Sequence, residues 1–313
     1  MRVSVIIPVY NAAAFVERAV ESALQQQETR EVVLVDDGST DESLEICRRL
    51  SETCDAVSLF THPDSGNHGA GATRNLAIRK SSEPFIAFLD ADDYYLEHRF
   101  AKAAEVFRSF ADADGVYEAI GVRCADERSE TVWADKGHGE LSTIFRPLPP
   151  DGLMDALLDY NLGTISPDGL VIRRRALWSE RPFCEKLRLH QDTAMIIQLS
   201  YYARLYPGSI EKPVAMRYVH GANRYLSNYN INLTRTMLWD HLFNWALDEG
   251  VSMKRSANIF RNALYFRYQS VKGGCPGFGP RPQDIPGLVL RILRHPVLFR
   301  RALMEHGRRR RCC

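Results

Sequence analysis

Asp90-Ala91-Asp92 places two carboxylates one residue apart, directly after the strongly apolar residues 84–89. At the end of a buried strand that spacing points both side chains toward one locus. Hard oxygen ligands with open positions suit Mg2+ or Mn2+ holding a diphosphate. The plain alternative is a polar turn that starts the next helix. Two more polar clusters follow apolar runs in the same way: Tyr10-Asn11 after residues 3–8, and Asp36-Asp37-Gly38-Ser39 after residues 31–35. A further loop, Gly66-Asn67-His68-Gly69-Ala70-Gly71, is glycine-rich, but its spacing is not that of a dinucleotide fingerprint. Its glycines permit backbone approach to a ligand, or simple mobility. Arg74 lies just beyond it, either as one half of a surface ion pair or as a cation for an anionic ligand.

The elements that must position these groups alternate. Residues 3–8, 31–35, 56–61, 84–89 and 115–124 read as strands, the first a continuous β-branched run suited to burial on both faces. Residues 12–26 have helical spacing, with Phe15, Ala19, Val20, Ala23 and Leu24 on one side. Ser39 or Thr40 can cap the next helix, whose Leu44, Ile46, Cys47 and Leu50 face inward. Residues 71–80 and 96–110 are two more helices. The pattern predicts βαβ units and a mostly parallel sheet flanked by helices, an α/β fold. Ligands of such sheets bind beyond the carboxyl ends of the strands, where the three polar clusters fall.

Beyond residue 123 the signals are sparser. Residues 123–151 resist assignment. Residues 152–160 and 191–205 are predicted helices, the second with Met195, Ile196, Leu199 and Tyr202 on one face. Residues 169–172 and 214–219 are predicted strands, the latter ending at His220. Residues 233–271 read as mainly helical, and 273–286 as a Gly/Pro-rich linker.

Composition narrows the class. Of 313 residues, 45% are hydrophobic and 25% charged, ordinary values for a globular chain with a real core. The net charge of +1 argues against a nucleic-acid binder. It hides an asymmetry: from residue 281 onward nine arginines stand against Asp284 and Glu305, a net +7, so the rest carries −6. Cys47, Cys54, Cys124, Cys184, Cys275, Cys312 and Cys313 show no CxxC pairing, which disfavours a zinc site or disulfide framework and fits a reducing, cytoplasmic setting. The apolar run after Met1 is too short for a signal peptide, and no stretch of about 18 apolar residues is present.

Four segments together resemble the family 2 glycosyltransferases of the GT-A fold: Pro8-Val9-Tyr10-Asn11, Asp36-Asp37-Gly38-Ser39-Thr40-Asp41, Asn67-His68-Gly69 through Ala72-Thr73-Arg74-Asn75, and Leu89-Asp90-Ala91-Asp92-Asp93. Their order and spacing match through about the first 110 residues. The resemblance implies an inverting, metal-dependent transfer of sugar from a nucleotide-diphosphate donor, with uridine diphosphate the expected carrier, to an acceptor hydroxyl. Pro8, Tyr10 and Asn11 would then line the donor site, and Asp37 would accept a hydrogen bond from a uracil-type ring. Asn67, Gly69 and Arg74 would close over the nucleotide. Asp90 and Ala91 would sit near the ribose, and Asp90 and Asp92 would hold Mn2+ or Mg2+. The family presents Glu-Asp at a helix start about a hundred residues later, its Asp serving as general base. Here the pair is Gln191-Asp192, so Asp192 is the implied base and the missing Glu is a departure. Its plain alternative is a charge serving the helix N-terminus. His220 resembles a third metal ligand or diphosphate contact.

The expected organisation is a GT-A-type domain over residues 1–225, with a nucleotide-sugar half (1–110) and an acceptor half (111–225). A helical extension (226–272), the linker (273–286) and a basic amphipathic tail (287–313) follow. The tail either packs on the domain or docks on an anionic membrane surface, on the cytoplasmic face, which would suit a carbohydrate or lipid-linked acceptor. A nucleotidyltransferase shares the sheet and metal carboxylates, but opens with a basic Gly-rich loop that residues 1–20 lack. A silent sugar-nucleotide binding module is the other alternative; intact Asp90, Asp92 and Asp192 argue against it.

Overall fold

A computed structural model describes residues 1–135, 139–159, 162–221, 223, 231–272 and 296–297. It divides into two compact units, Met1–Ser227 and Asn228–Cys313. The first opens with β1 (Val3–Val9), α1 (Val16–Leu24), β2 (Thr29–Asp36), α2 (Ser43–Thr53), β3 (Val57–Thr61), α3 (Ala70–Lys80) and β4 (Phe85–Phe88). There follow β5 (Tyr94–Tyr95), α4 (Ala101–Ser109), β6 (Gly115–Tyr117), β7 (Ile120–Cys124), α5 (Glu127–Asp135), β8 (Leu141–Ser142) and α6 (Pro150–Asp159). After a 3-10 turn at Pro167–Gly169 come β9 (Leu170–Arg173), α7 (Gln191–Tyr202), β10 (Leu205–Pro207) and β11 (Ala215–Val219).

The main sheet has the order β10-β6-β9-β4-β1-β2-β3. Strands β4, β1, β2 and β3 run parallel, while β9 is antiparallel to both β4 and β6. The mostly parallel α/β sheet expected from the alternation is therefore present. Helices cover both faces, so Val5, Ile6, Ile7, Val33, Leu34 and Val35 are all fully buried. That is why β1 and β2 read as continuous apolar runs. The β1 register pairs Val9 with Asp36, which brings the Tyr10 and Asp37 loops to one sheet edge.

Helix α1 begins at Val16, not at residue 12. The backbone turns left-handed at Asn11 (φ 49°), and the amides of Ala12 and Ala13 donate to Ser43 Oγ (2.7 Å) and Asp41 Oδ2 (3.1 Å). Ser39 and Thr40 do not cap α2. Ser39 Oγ instead accepts from the Asn11 amide, and the Thr40 amide donates to Asn11 Oδ1 at 2.8 Å. The first two loops are thereby sewn together, and no side chain caps α2.

The predicted strand 115–124 is two strands in two sheets. β6 stays in the main sheet; β7 joins a four-stranded sheet of order β5-β11-β7-β8. Between them, the Glu118 and Ala119 amides donate to the carbonyls of Gly169 and Ser209. Glu118 is fully buried and pairs with the equally buried Arg99 at 2.6 Å. Burial raises the Glu118 carboxyl above its usual range, against the pull of Arg99. Arg99 Nε also donates to the Asp168 carbonyl at 3.1 Å, joining the crossing point to the site described below. An apolar run cannot announce such a hop, because both strands are buried. The predicted helix 96–110 is likewise shortened to Ala101–Ser109, since residues 97–100 form a turn with His98 left-handed (φ 61°).

The second unit contains α8 (Ile231–Asp248) and α9 (Met253–Lys272), a helical hairpin turning at Gly250 (φ 67°). Phe243 and Phe260 pack at 4.9 Å between ring centroids. The linker 273–286 and, apart from 296–297, the basic tail 287–313 lie outside the described residues. No helix among the described residues is long and apolar enough to cross a membrane.

Removing one member of a buried ion pair leaves an uncompensated charge. Glu118→Leu is therefore expected to lower the unfolding free energy by about 3–5 kcal/mol, measured by urea denaturation. Adding Arg99→Met should recover part of that loss. An unchanged midpoint in the single variant would mean that the pair does not hold the crossing.

Candidate active site

The loop after β3 is held from beneath by Asp37. Its buried carboxylate accepts from the His68 amide (2.7 Å) and the Gly69 amide (2.9 Å). Asn67 Nδ2 donates to the Asp37 carbonyl at 3.1 Å. Thr73 Oγ1 donates to the Gly69 carbonyl (2.9 Å), so His62 Nε2 is the donor in its 3.1 Å contact with that hydroxyl. Burial, then the neighbouring His68, lowers the His62 pKa and favours the neutral ring. Gly69 has φ 90°, which L side chains rarely adopt. The Asp37 carboxylate, expected to meet a base ring, is thus occupied by the loop. Tyr10 stands exposed at the sheet edge, Pro8 is half-buried, and Asn11 bridges to Ser39 and Thr40.

Arg74, on α3, is buried. Its guanidinium donates to Asp90 Oδ1 and, at 3.1 Å, to Gln191 Oε1, with the Phe183 ring 5.5 Å from its centre. Burial works against its charge, but Asp90, Asp192 and Asp168 outweigh this and hold the pKa above the ordinary arginine value. The surface ion-pair reading of Arg74 is therefore set aside. This residue gathers the turn at Asp90 and the start of α7, 16 and 117 positions away, around one positive charge.

The Asp90 to Asp93 segment is a turn, closed by the Asp93 amide donating to the Asp90 carbonyl at 3.0 Å. β4 has already ended at Phe88, so strand alternation no longer applies. The expected set of Asp90, Asp92 and His220 accordingly separates. Asp90 lies with Asp93 and Asp168, one carboxylate oxygen of each falling within 4.8 Å of the other two; among the described residues this is the group that could hold a metal. Asp92 Oδ2 instead meets Asn223 Nδ2 (2.8 Å) and His220 Nε2 (3.3 Å). Ala91, between them, is buried.

Crowding of carboxylates has an electrostatic signature. Burial, then the charge of Asp90, pushes Asp168 up to about 6, against the pull of Arg217. Burial, then Asp168 and Asp92, pushes Asp93 well above the usual carboxylate range. A hard divalent cation fits this donor set, since it takes carboxylate oxygens and relieves their repulsion.

Asp192 sits in the first turn of α7, half-buried, with Oδ1 accepting from the Thr193 amide at 2.7 Å. The segment before it is tied to α3. Asn75 Nδ2 donates to the Phe183 carbonyl (2.8 Å) and to Glu185 Oε1 (3.0 Å), and Asn75 Oδ1 accepts from the Phe183 amide (3.0 Å). Sequence reasoning did not find Asp168, Asp93, Asn75 or Arg18. Asp93 and Asn75 stood inside recognised motifs; Asp168 had no local signal at all. Arg18 lies 4.5 Å from both the Tyr94 and Tyr218 ring centroids and donates to the Asp92 carbonyl at 2.9 Å. Phe15 packs on His220 at 4.3 Å. Arg18 on α1 and Phe15 just before it therefore brace the Asp92 group.

Asp37→Ala removes the shared acceptor of two loop amides. It is expected to lower the unfolding free energy by about 1–3 kcal/mol and to speed protease cleavage between residues 62 and 71. If both stay at wild-type values, other contacts hold the loop.

Similar proteins place this geometry. Residues 4–180 match the model of the family described as Glycosyl transferase family 2. An uncharacterized glycosyltransferase of Nostoc sp. is 28% identical over 284 residues, covering 86% of this chain and 84% of its own. The succinoglycan biosynthesis protein ExoU of Rhizobium meliloti is 40% identical over 189 residues, 60% of this chain and half of its own length. Among solved structures, S. aureus TarS in complex with UDP-GlcNAc aligns with a TM-score of 0.65 at 21% identity, over 88% of this chain and 77% of that one. That likeness gives the fold, which is of the GT-A type. With its family match spanning more than half of the chain, and its motif loops meeting at one sheet edge, this chain belongs to glycosyltransferase family 2.

Proposed function

We propose that the protein transfers a sugar from a nucleotide-diphosphate donor, a UDP-sugar, to an acceptor hydroxyl with inversion at the anomeric carbon. The single observation that carries this reading is the convergence on buried Arg74 of Asp90 and the Gln191-Asp192 helix start. In this reading Asp192 removes the acceptor proton as the oxygen attacks the anomeric carbon. The bond to the nucleoside diphosphate breaks on the opposite side. Arg74 stabilises the charge that grows on that leaving group. Asp90, Asp93 and Asp168, with Asp92 and His220 beside them, would hold Mn2+ or Mg2+, which supplies further neutralisation of the diphosphate. Pro8, Tyr10, Asn11 and the loop from Asn67 to Gly69 would line the nucleotide side, and residues 111–225 the acceptor side.

The relatives support a role in polysaccharide or glycolipid biosynthesis. The similar S. aureus TarS was solved with UDP-GlcNAc, ExoU is a succinoglycan biosynthesis protein, and GgaA of Bacillus subtilis is a minor teichoic acid biosynthesis protein. The acceptor is then a carbohydrate or lipid-linked chain, met at the cytoplasmic face of a membrane that the basic tail would touch.

Asp192→Asn is expected to reduce transfer by a factor on the order of 10^2–10^4 while nucleotide binding, read by calorimetry, persists. Retained transfer would remove Asp192 as the base. A thermal-shift series of nucleoside diphosphates with and without Mn2+ tests the donor site: a ligand that binds only the folded state raises the Tm. A Mn2+-dependent shift with UDP, abolished by EDTA, is the expected outcome. No shift with any nucleotide, in folded protein, would instead favour a silent module.

A further inference from the structure

Arg188 lies on the segment leading into α7, three residues before Gln191. Its side chain is exposed, yet its guanidinium forks onto a single residue of the donor loop. Nη1 donates to Asn67 Oδ1 at 2.9 Å and Nη2 to the Asn67 carbonyl at 3.3 Å. The same side chain covers Gly69: a Cβ built there would stand 2.7 Å from Arg188 Nη1 and 3.2 Å from its Cδ. Asn67 in turn reaches back to the Asp37 carbonyl. The other side-chain ties described above, from Asn75 and Arg74, start on α3 behind the loop. Arg188 instead grips the loop itself, 121 residues away in sequence.

We propose that Arg188 is a positioning residue that latches loop residues 67–69 to the segment carrying Asp192. Its kinetic consequence rests on the reading of that loop as donor-facing and of Asp192 as the base. Both hydrogen bonds are open to water, so the latch is weak and reversible, as a loop that admits and releases a nucleotide requires. The fork suits arginine; lysine offers a point charge without the planar pair of donors. Closing the latch sets the donor loop and the proton acceptor in register, so donor capture and base placement become one event.

Hydrogen exchange on the ligand-free protein reads the latch directly. In peptides spanning residues 64–71, Arg188→Met is expected to exchange about three- to fivefold faster than wild type, the factor carried by an exposed charged hydrogen bond. Arg188→Lys should fall between, β1 peptides should not change, and Asn67→Ala should add little on top of Arg188→Met. The Tm should hold, because Arg188 is outside the core. In the transfer assay Arg188→Met is expected to raise the donor KM about fivefold with the acceptor KM unaltered. Unchanged exchange overturns the latch, whatever the activity. Faster exchange with unaltered donor KM and kcat overturns the positioning role. Faster exchange in a wild-type background that transfers no sugar leaves the latch standing, and removes the proposed function and the positioning role together.

Discussion

An arginine held out of water must be paired, because an ionised group stripped of solvent costs several kcal/mol otherwise. Arg74 meets that demand with Asp90 on one side and Gln191 on the other. The pairing constrains two distant pieces of chain at once. The turn after β4 must present Asp90, and α7 must begin where Gln191 can reach. Asp192 follows Gln191 by one residue, so the place of the proposed base is set by the same cation. The glutamine at this position also leaves Asp90 as the sole carboxylate hydrogen-bonded to Arg74 among the described residues.

Around that cation the fold keeps like charges close. Asp90, Asp93 and Asp168 crowd together, and burial drives up the proton affinities of Asp93 and Asp168. Such an arrangement is unfavourable by itself and becomes favourable when a positive ion or a proton enters. The scaffold supports the crowding from behind. Arg99, paired to Glu118 in the core, holds the Asp168 carbonyl, while the Asp168 carboxylate accepts from the Asp90 amide at 2.9 Å. Arg18, set between Tyr94 and Tyr218, holds the Asp92 carbonyl from the other side.

The same logic explains why the second sheet exists. Glu118 marks the point where the chain leaves the main sheet, and its buried carboxylate is satisfied by Arg99 and the Ser209 amide. From that crossing, β7 and β11 run side by side, and β11 delivers His220 beside Asp92. A stretch that looks like one apolar strand thus becomes the junction that brings two sheets to one site.

What the sequence by itself determined is local or periodic. Alternating apolar runs and helical stripes specified βαβ units with a mostly parallel sheet, because both depend on spacing along the chain, while the strand order came from the fold. The motif loops at Tyr10, Asp37 and Asp90 were legible because polar residues after buried strands must lie at a sheet edge. Only the tertiary structure decided where those side chains point. Asp90 and Asp92 diverge because a turn replaces strand geometry; Asp37 faces the loop because two amides lack other acceptors; Asp168 joins the cluster from 78 residues away through the Asp90 amide. Ser39 and Thr40 bind Asn11 rather than capping α2 for the same reason. Spacing can announce that a polar group is available, but its partner is chosen by burial and proximity, which exist only once the chain has closed on itself.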